Sequence, residues 1–170
     1  VSHFEVVLEA LPDNAWIHAR LGWVHERLEN LEKSKQHYNQ FLRKHPQAFD
    51  VSFRLANVHT LLGNEASTIE LYEKIIEHHP EHDLVLNNLA WIYLTAQDRQ
   101  LRNLEKGMEL ALKSVELNPT IDNLDTLAEA YFQSGERKKA IEIIRKAARE
   151  VEYSPNRRPY LRKQLLRFRK

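Results

Sequence analysis

Cysteine is absent from this 170-residue chain, so no disulfide contributes to its stability and no thiol can serve as a nucleophile. That absence fits the cytosol, the favoured compartment, and equally a cysteine-free periplasmic protein. Glycine (4) and proline (6) are scarce, which leaves little room for turns beyond those that join helices. No apolar run approaches the roughly 18 residues that a membrane span needs. Gly-rich phosphate loops and hydrolase-type serine motifs are missing as well, so no catalytic set emerges and an enzyme is not expected. Neither an initiator methionine nor a signal peptide precedes Val1, which lies in an apolar, helix-like segment. The expectation is a piece of a longer protein.

What is present is rhythm. Pro12, Pro46, Pro80 and Pro119 follow one another at intervals of 34, 34 and 39 residues. The pairs Leu21-Gly22, Leu55-Ala56, Leu89-Ala90 and Leu127-Ala128 keep the same phase, at 34, 34 and 38. A period of this length marks stacked units whose core runs as a stripe. Each unit reads as two antiparallel helices. In 15–48 the apolar contacts are Ile17, Leu21, Val24 and Leu28, then Leu31, Tyr38, Phe41 and Leu42, with helices over 15–28 and 31–45. Asp13 and Asn14 are N-cap candidates, and Pro46 stops the second helix.

Segment 49–82 repeats the pattern with helices over 49–62 and 65–79, joined at Gly63-Asn64. Segment 83–120 is longer, with helices over 83–96 and 103–117. Its extra residues, from Gln97 onward, are expected in the inter-helix loop, with Leu112 and Leu117 among the inward residues of the second helix. Segment 121–154 has helices over 121–134 and 137–151, turning at Ser134-Gly135. Residues 1–14 read as the end of an earlier repeat, with Phe4, Val7, Leu8 and Leu11 apolar. Residues 155–170 read as a capping helix, with Tyr160, Leu161, Leu165 and Phe168 over the end of the core.

These residues resemble the tetratricopeptide-repeat (TPR) family, whose 34-residue helix pair carries large, small, aromatic and proline positions in fixed places. The Leu-Gly or Leu-Ala pairs occupy repeat positions 7 and 8. Position 11 is Tyr93 and Tyr131 but His25 and His59, and position 20 is Ser34, Thr68, Gly107 and Ala140, all small. The wording Asn87-Asn88-Leu89-Ala90-Trp91 resembles bacterial members. The resemblance implies an all-α, right-handed solenoid, a single domain over 1–170, with a concave groove lined by the first helix of each pair. Its implied function is non-catalytic protein–protein recognition.

By the same resemblance, the groove positions hold Trp16, Arg20, Trp23 and Arg27, then Asp50, Phe53, Arg54 and Asn57. Asn87, Asn88 and Trp91 follow in the third repeat, and Asp122, Asp125 and Glu129 in the fourth. The partner-binding expectation centres on Arg20, Trp23, Arg54, Asn57, Asn88 and Trp91. Asn bonds a peptide backbone in both directions, Arg forks onto carboxylates, and Trp supplies anchoring area. The family's clamp for acidic chaperone tails is not expected: Asn57 and Asn88 match it, but Phe53, Asp122 and Thr126 stand where cations are required.

A protein or peptide partner is therefore expected, with no small-molecule substrate, cofactor or metal. His78, His79 and His82 lie at an inter-repeat turn without fixed geometry, and His18 and His25 share a helix face. Two alternatives remain open. One is a module for assembly or self-association through exposed repeat ends. The other is electrostatic attachment to membrane or nucleic acid through residues 156–170, which hold seven basic and no acidic residues, leaving 18 basic against 24 acidic elsewhere. The favoured reading of that tail is a solvated cap pairing with acidic helix ends.

Overall fold

The computed structural model describes residues 2–11, 14–150 and 155–169; Pro12, Asp13 and Val151 lie outside the described residues. Every regular element among the described residues is helical, and none of the helices is long and apolar enough to cross a membrane. In chain order they are α1 (Ser2–Ala10), α2 (Ala15–Arg27), α3 (Leu31–Lys44), α4 (Phe49–Leu61) and α5 (Glu65–His78), then α6 (Asp83–Thr95), α7 (Leu104–Leu117), α8 (Ile121–Gln133), α9 (Arg137–Glu150) and α10 (Arg158–Arg169). The chain groups into two compact units, Val1–Ile75 and Ile76–Lys170.

Within the first unit, α2 pairs with α3 and α4 with α5. The core is Ala15, Tyr38, Phe41, Val51, Leu55 and Val58. The small residues expected at the seams are buried where the helices approach most closely. A Cβ on Gly22 would stand 2.5 Å from the Tyr38 ring, so α2 and α3 meet at a distance only glycine allows without displacing the tyrosine. Ser34, also buried, donates its hydroxyl to the Gly22 carbonyl at 2.8 Å, tying the seam.

The turns between paired helices share one chemistry. After α2, the Asn30 amide reaches back to the His25 carbonyl (2.9 Å) and the Glu29 amide to Glu26 (3.0 Å). Asn64 and Gly63 repeat this after α4, and Glu136 and Gly135 after α8. Such a closure needs one left-handed residue. It is Gly63 (φ 74°) and Gly135 (φ 85°), but Glu29 (φ 58°) after α2.

The second unit stacks α7 to α10 around Leu124, Ala128, Ala140, Ile144, Ala147, Leu161 and Phe168, and α6 joins through Ala90, packed with Ala111 and Leu127. Gly107 lies against Leu94, where a Cβ would stand 2.8 Å away. The insertion after α6 forms a short 3-10 turn over Arg99–Leu101, as its loop assignment anticipated. The long loop still closes on the usual carbonyl, because the Asn103 amide bonds to Tyr93 O at 2.9 Å. At the other end of α7, buried Asn123 donates to the carbonyls of Ser114 (3.2 Å) and Asn118 (2.7 Å).

Some expected core contacts are corrected. Leu28, Leu112 and Leu117 are exposed. Leu28 is the residue that ends α2 and Leu117 the last of α7, where no further turn covers them, while Leu112 lies about 100° around α7 from buried Ala111. Val7 and Leu11 near the start and Tyr160 in α10 are also exposed at their surfaces.

Candidate functional site

In the first unit the facing surfaces of α2 and α4 frame a concavity of about 520 Å³, lined by Trp16, Arg20, Trp23, Tyr38, Asp50 and Arg54 among others. Asn14 starts α2 by accepting the amides of Trp16 and Ile17, which fixes the helix entry beside the rim. Trp16 is 67% exposed and Trp23 43%, large apolar surfaces for side chains at the edge of a hollow. Trp16 is held edge-on against Phe41, with ring centroids 5.3 Å apart. Arg20 and Asp50 are exposed, so the rim carries both signs of charge.

A polar network is built beside this hollow. The Tyr38 hydroxyl donates to Glu26 Oε2 at 2.5 Å, and Arg54 Nη1 lies 3.3 Å from the same oxygen. Burial, reinforced by the bond to the Glu26 carboxylate, pushes the Tyr38 phenol far above its ordinary value, so it stays a donor. Arg54 thus reaches the Glu26 carboxylate through one nitrogen, while its side chain stays 43% exposed and lines the hollow. Asn57, further along α4, accepts the Tyr72 hydroxyl at 2.8 Å, so its carbonyl is engaged too.

Arg20, Trp23 and Arg54 are therefore brought to one hollow, with Asn57 in the same unit. Asn88 and Trp91 lie on α6 in the second unit, where Asn88 is half-buried and Trp91 is 36% exposed. Asn87, expected to face a ligand, is instead buried, with no hydrogen bond to its side-chain oxygen.

The acidic row on α8 also departs from expectation. Asp122 pairs with Arg157 at 2.7 Å, Asp125 accepts the Tyr160 hydroxyl at 2.7 Å, and Glu129 pairs with Arg167. Asp125 is 8% exposed and Glu129 only 5%. Burial pushes the Asp125 carboxyl up despite the Tyr160 bond, and that phenol in turn rises to about 12. The basic tail is correspondingly less available than its composition implied, since Arg157 and Arg167 are engaged. Arg162, Lys163 and Arg169 remain on the exposed side of α10. The pairing partners are groove-side residues in mid-helix as well as at the helix start, where the sequence pointed only to acidic helix ends.

Glu26 and Tyr38 escaped the sequence reading as site residues. The available signal was an acid at position 12 of one repeat and an arginine at position 6 of the next.

Comparison with known proteins agrees with this architecture. Two family models, each described as tetratricopeptide repeat, match residues 19–76 and 122–149. The chain belongs to the tetratricopeptide-repeat family. A TPR protein from Parabacteroides merdae superposes with a TM-score of 0.81 at 18% identity, over 97% of this chain and 62% of that one. MamA from Desulfovibrio magneticus RS-1 gives 0.77 at 21%, over 90% and 84%. YrrB, described as a TPR protein with an unusual peptide-binding site, gives 0.71 at 15%, over 89% and 75%. At these identities the likeness is one of fold. Among curated protein sequences none matches this TPR chain.

Proposed function

We propose that the hollow between α2 and α4 holds a peptide segment of a protein partner and that the chain acts as a non-catalytic recognition module. TPR repeats in general are protein–protein interaction scaffolds, and the family match carries that general role. The finer assignment rests on one observation: Trp16 and Trp23 are exposed at the edge of a concavity of about 520 Å³ that also carries Arg20 and Asp50. Aromatic anchors with a polar rim are what a peptide-binding surface requires. Trp23 supplies anchoring area, Arg20 and Asp50 set the direction of the bound chain, and the Glu26–Tyr38–Arg54 network keeps the wall rigid. The peptide-binding site described for YrrB supports a peptide as the occupant class.

The test is affinity capture from native lysate with mass spectrometry, followed by titration of peptides from the captured protein. Trp23→Ala and Arg20→Ala should each weaken peptide binding, Trp23→Ala more, while circular dichroism stays unchanged. Undiminished binding to a Trp23→Ala, Arg20→Ala double variant would remove the hollow as the site. Asn88→Ala and Trp91→Ala, run in parallel, test the residues that the repeat register assigns in the second unit.

A further inference from the structure

Charge is distributed more unevenly than the tail alone suggests once α9 is counted with α10. Residues 137–170 hold 13 basic against 3 acidic residues, and the 136 before them hold 12 against 21. One repeat length thus carries a net of +10 beside a remainder of −9.

The packing sorts these cations into two sets. Arg157 and Arg167 meet the α8 acids Asp122 and Glu129. Arg145, Lys146 and Arg149 on α9 and Arg162, Lys163 and Arg169 on α10 are exposed, and none of the six enters an ion pair among the described residues. The two helices pack together through Ile144, Ala147, Leu161 and Phe168, so all six cations stand on one helix pair. Exposed helix faces elsewhere mix their signs: Lys35 pairs with Glu32 on α3, and Lys74 with Glu70 on α5. On α9, Arg149 instead lies one turn from both Arg145 and Lys146, a like-charged arrangement that weakens a helix unless an anion relieves it. Among the described side chains of the pair, Glu142 alone is acidic. Leu166 is 53% exposed on α10, with Arg162 and Lys163 one turn before it and Arg169 one turn after.

We infer that the outer face of α9 and α10 attaches the chain to an anionic lipid surface. Cations spread over two helices suit a plane of headgroup phosphates, and an exposed leucine among them gains where acyl chains are within reach. Nucleic acid is less well matched. The pair carries two aromatic rings, Phe168 buried and Tyr160 bonded to Asp125, so no stacking platform for bases accompanies the cations. Attachment is electrostatic and reversible, because Leu161 and Phe168 are held in the core and only Leu166 is left to enter the interface.

The test is cosedimentation with vesicles of phosphatidylcholine containing about a third phosphatidylserine, against pure phosphatidylcholine vesicles. Binding is expected only to the anionic vesicles and falls steeply with salt. At about fivefold per cation, an Arg162→Gln, Lys163→Gln, Arg169→Gln variant binds about 100-fold more weakly, and Arg145→Gln, Lys146→Gln, Arg149→Gln similarly. A Lys33→Gln, Arg43→Gln, Lys44→Gln variant, with the same loss of charge in the first unit, binds as the parent does. Leu166→Ala weakens vesicle binding a few-fold and leaves any binding to duplex DNA unchanged. Circular dichroism melts of each variant check that the fold survives. Equal binding to neutral vesicles, or equal loss in the first-unit variant, overturns the proposal. So does binding to duplex DNA that exceeds binding to vesicles, with Leu166→Ala without effect on either. Light scattering at low salt without vesicles gives the last arm: oligomers that dissolve in either second-unit variant would make another copy of the chain the occupant instead.

Discussion

The α2 face of the first unit and the α8 face of the second occupy the same place in the repeat but meet different fates. Along α2 the groove-side residues Trp16, Arg20 and Trp23 are exposed beside a hollow, and the nearby carboxylate, Glu26, is neutralised by Arg54 of the following repeat. Along α8 Asp125 and Glu129 are buried and bonded to Tyr160 and Arg167 of α10, while Asp122 stays exposed and pairs with Arg157 just before it. In both cases an acid on one first helix finds its partner on the next helix of the same kind. The partners on α10 follow their acids by 35 residues at Tyr160–Asp125 and 38 at Arg167–Glu129, close to one repeat. The tail thus behaves as a lone first helix. A face is open or closed according to how fully the next first helix lies over it.

That contrast can be broken most severely at Phe168. Its ring is fully buried and stacks on Phe132 at 4.8 Å, so Phe168→Ala should cost about 3–5 kcal/mol in denaturant titration and free the α8 acids. In the first unit, Gly22→Ala pushes the Tyr38 ring away from Glu26. The expected loss is about 1–3 kcal/mol, because the ring cannot yield without disturbing its hydrogen bond.

Asp125 gives a smaller, pH-dependent effect. Its carboxyl sits above the ordinary 3.8 in the folded chain, chiefly through burial. The folded state therefore holds its proton more tightly than the unfolded chain. The stabilisation this gives is complete below the unfolded value and is lost as pH rises through the raised folded value. The stability of the parent chain relative to Asp125→Asn should fall across that window and be flat above it. Urea midpoints measured against pH check this, and a difference that rises with pH would contradict it. The smallest change sharpens the comparison from the other side. Glu29→Gly relieves a left-handed residue and should raise stability by about 1 kcal/mol, visible as a small increase in thermal midpoint, whereas Gly63→Ala should lower it.

Helix positions were legible because three kinds of signal coincide: apolar period, small residues at the seams and proline after the second helix. The boundaries differ from expectation by a single residue for α2 to α8, and by three at the start of α10; the expected ends of α9 and of the capping helix lie outside the described residues. Which residues line a face was also legible, since position in the repeat fixes direction. What covers that face was not. Asp125 and Trp23 both read as groove residues, and only the path of the chain some 35 residues later distinguishes them. The Arg54–Glu26 pair, separated by 28 residues, was hidden for the same reason: two helices must pack before the charges meet.

The loop after α6 carries a consequence for how such a chain can be edited. Its extra residues sit between two fixed posts, the Tyr93 carbonyl and the Asn103 amide, and the Asn103 side chain starts α7 by accepting the Lys106 amide. Material spliced between those posts leaves the hydrogen-bonding frame of the repeat intact. Residues 97–102 are thus a natural port, where evolution or an experimenter can graft a tag, a fluorophore or a new binding loop while the helices on either side keep their register.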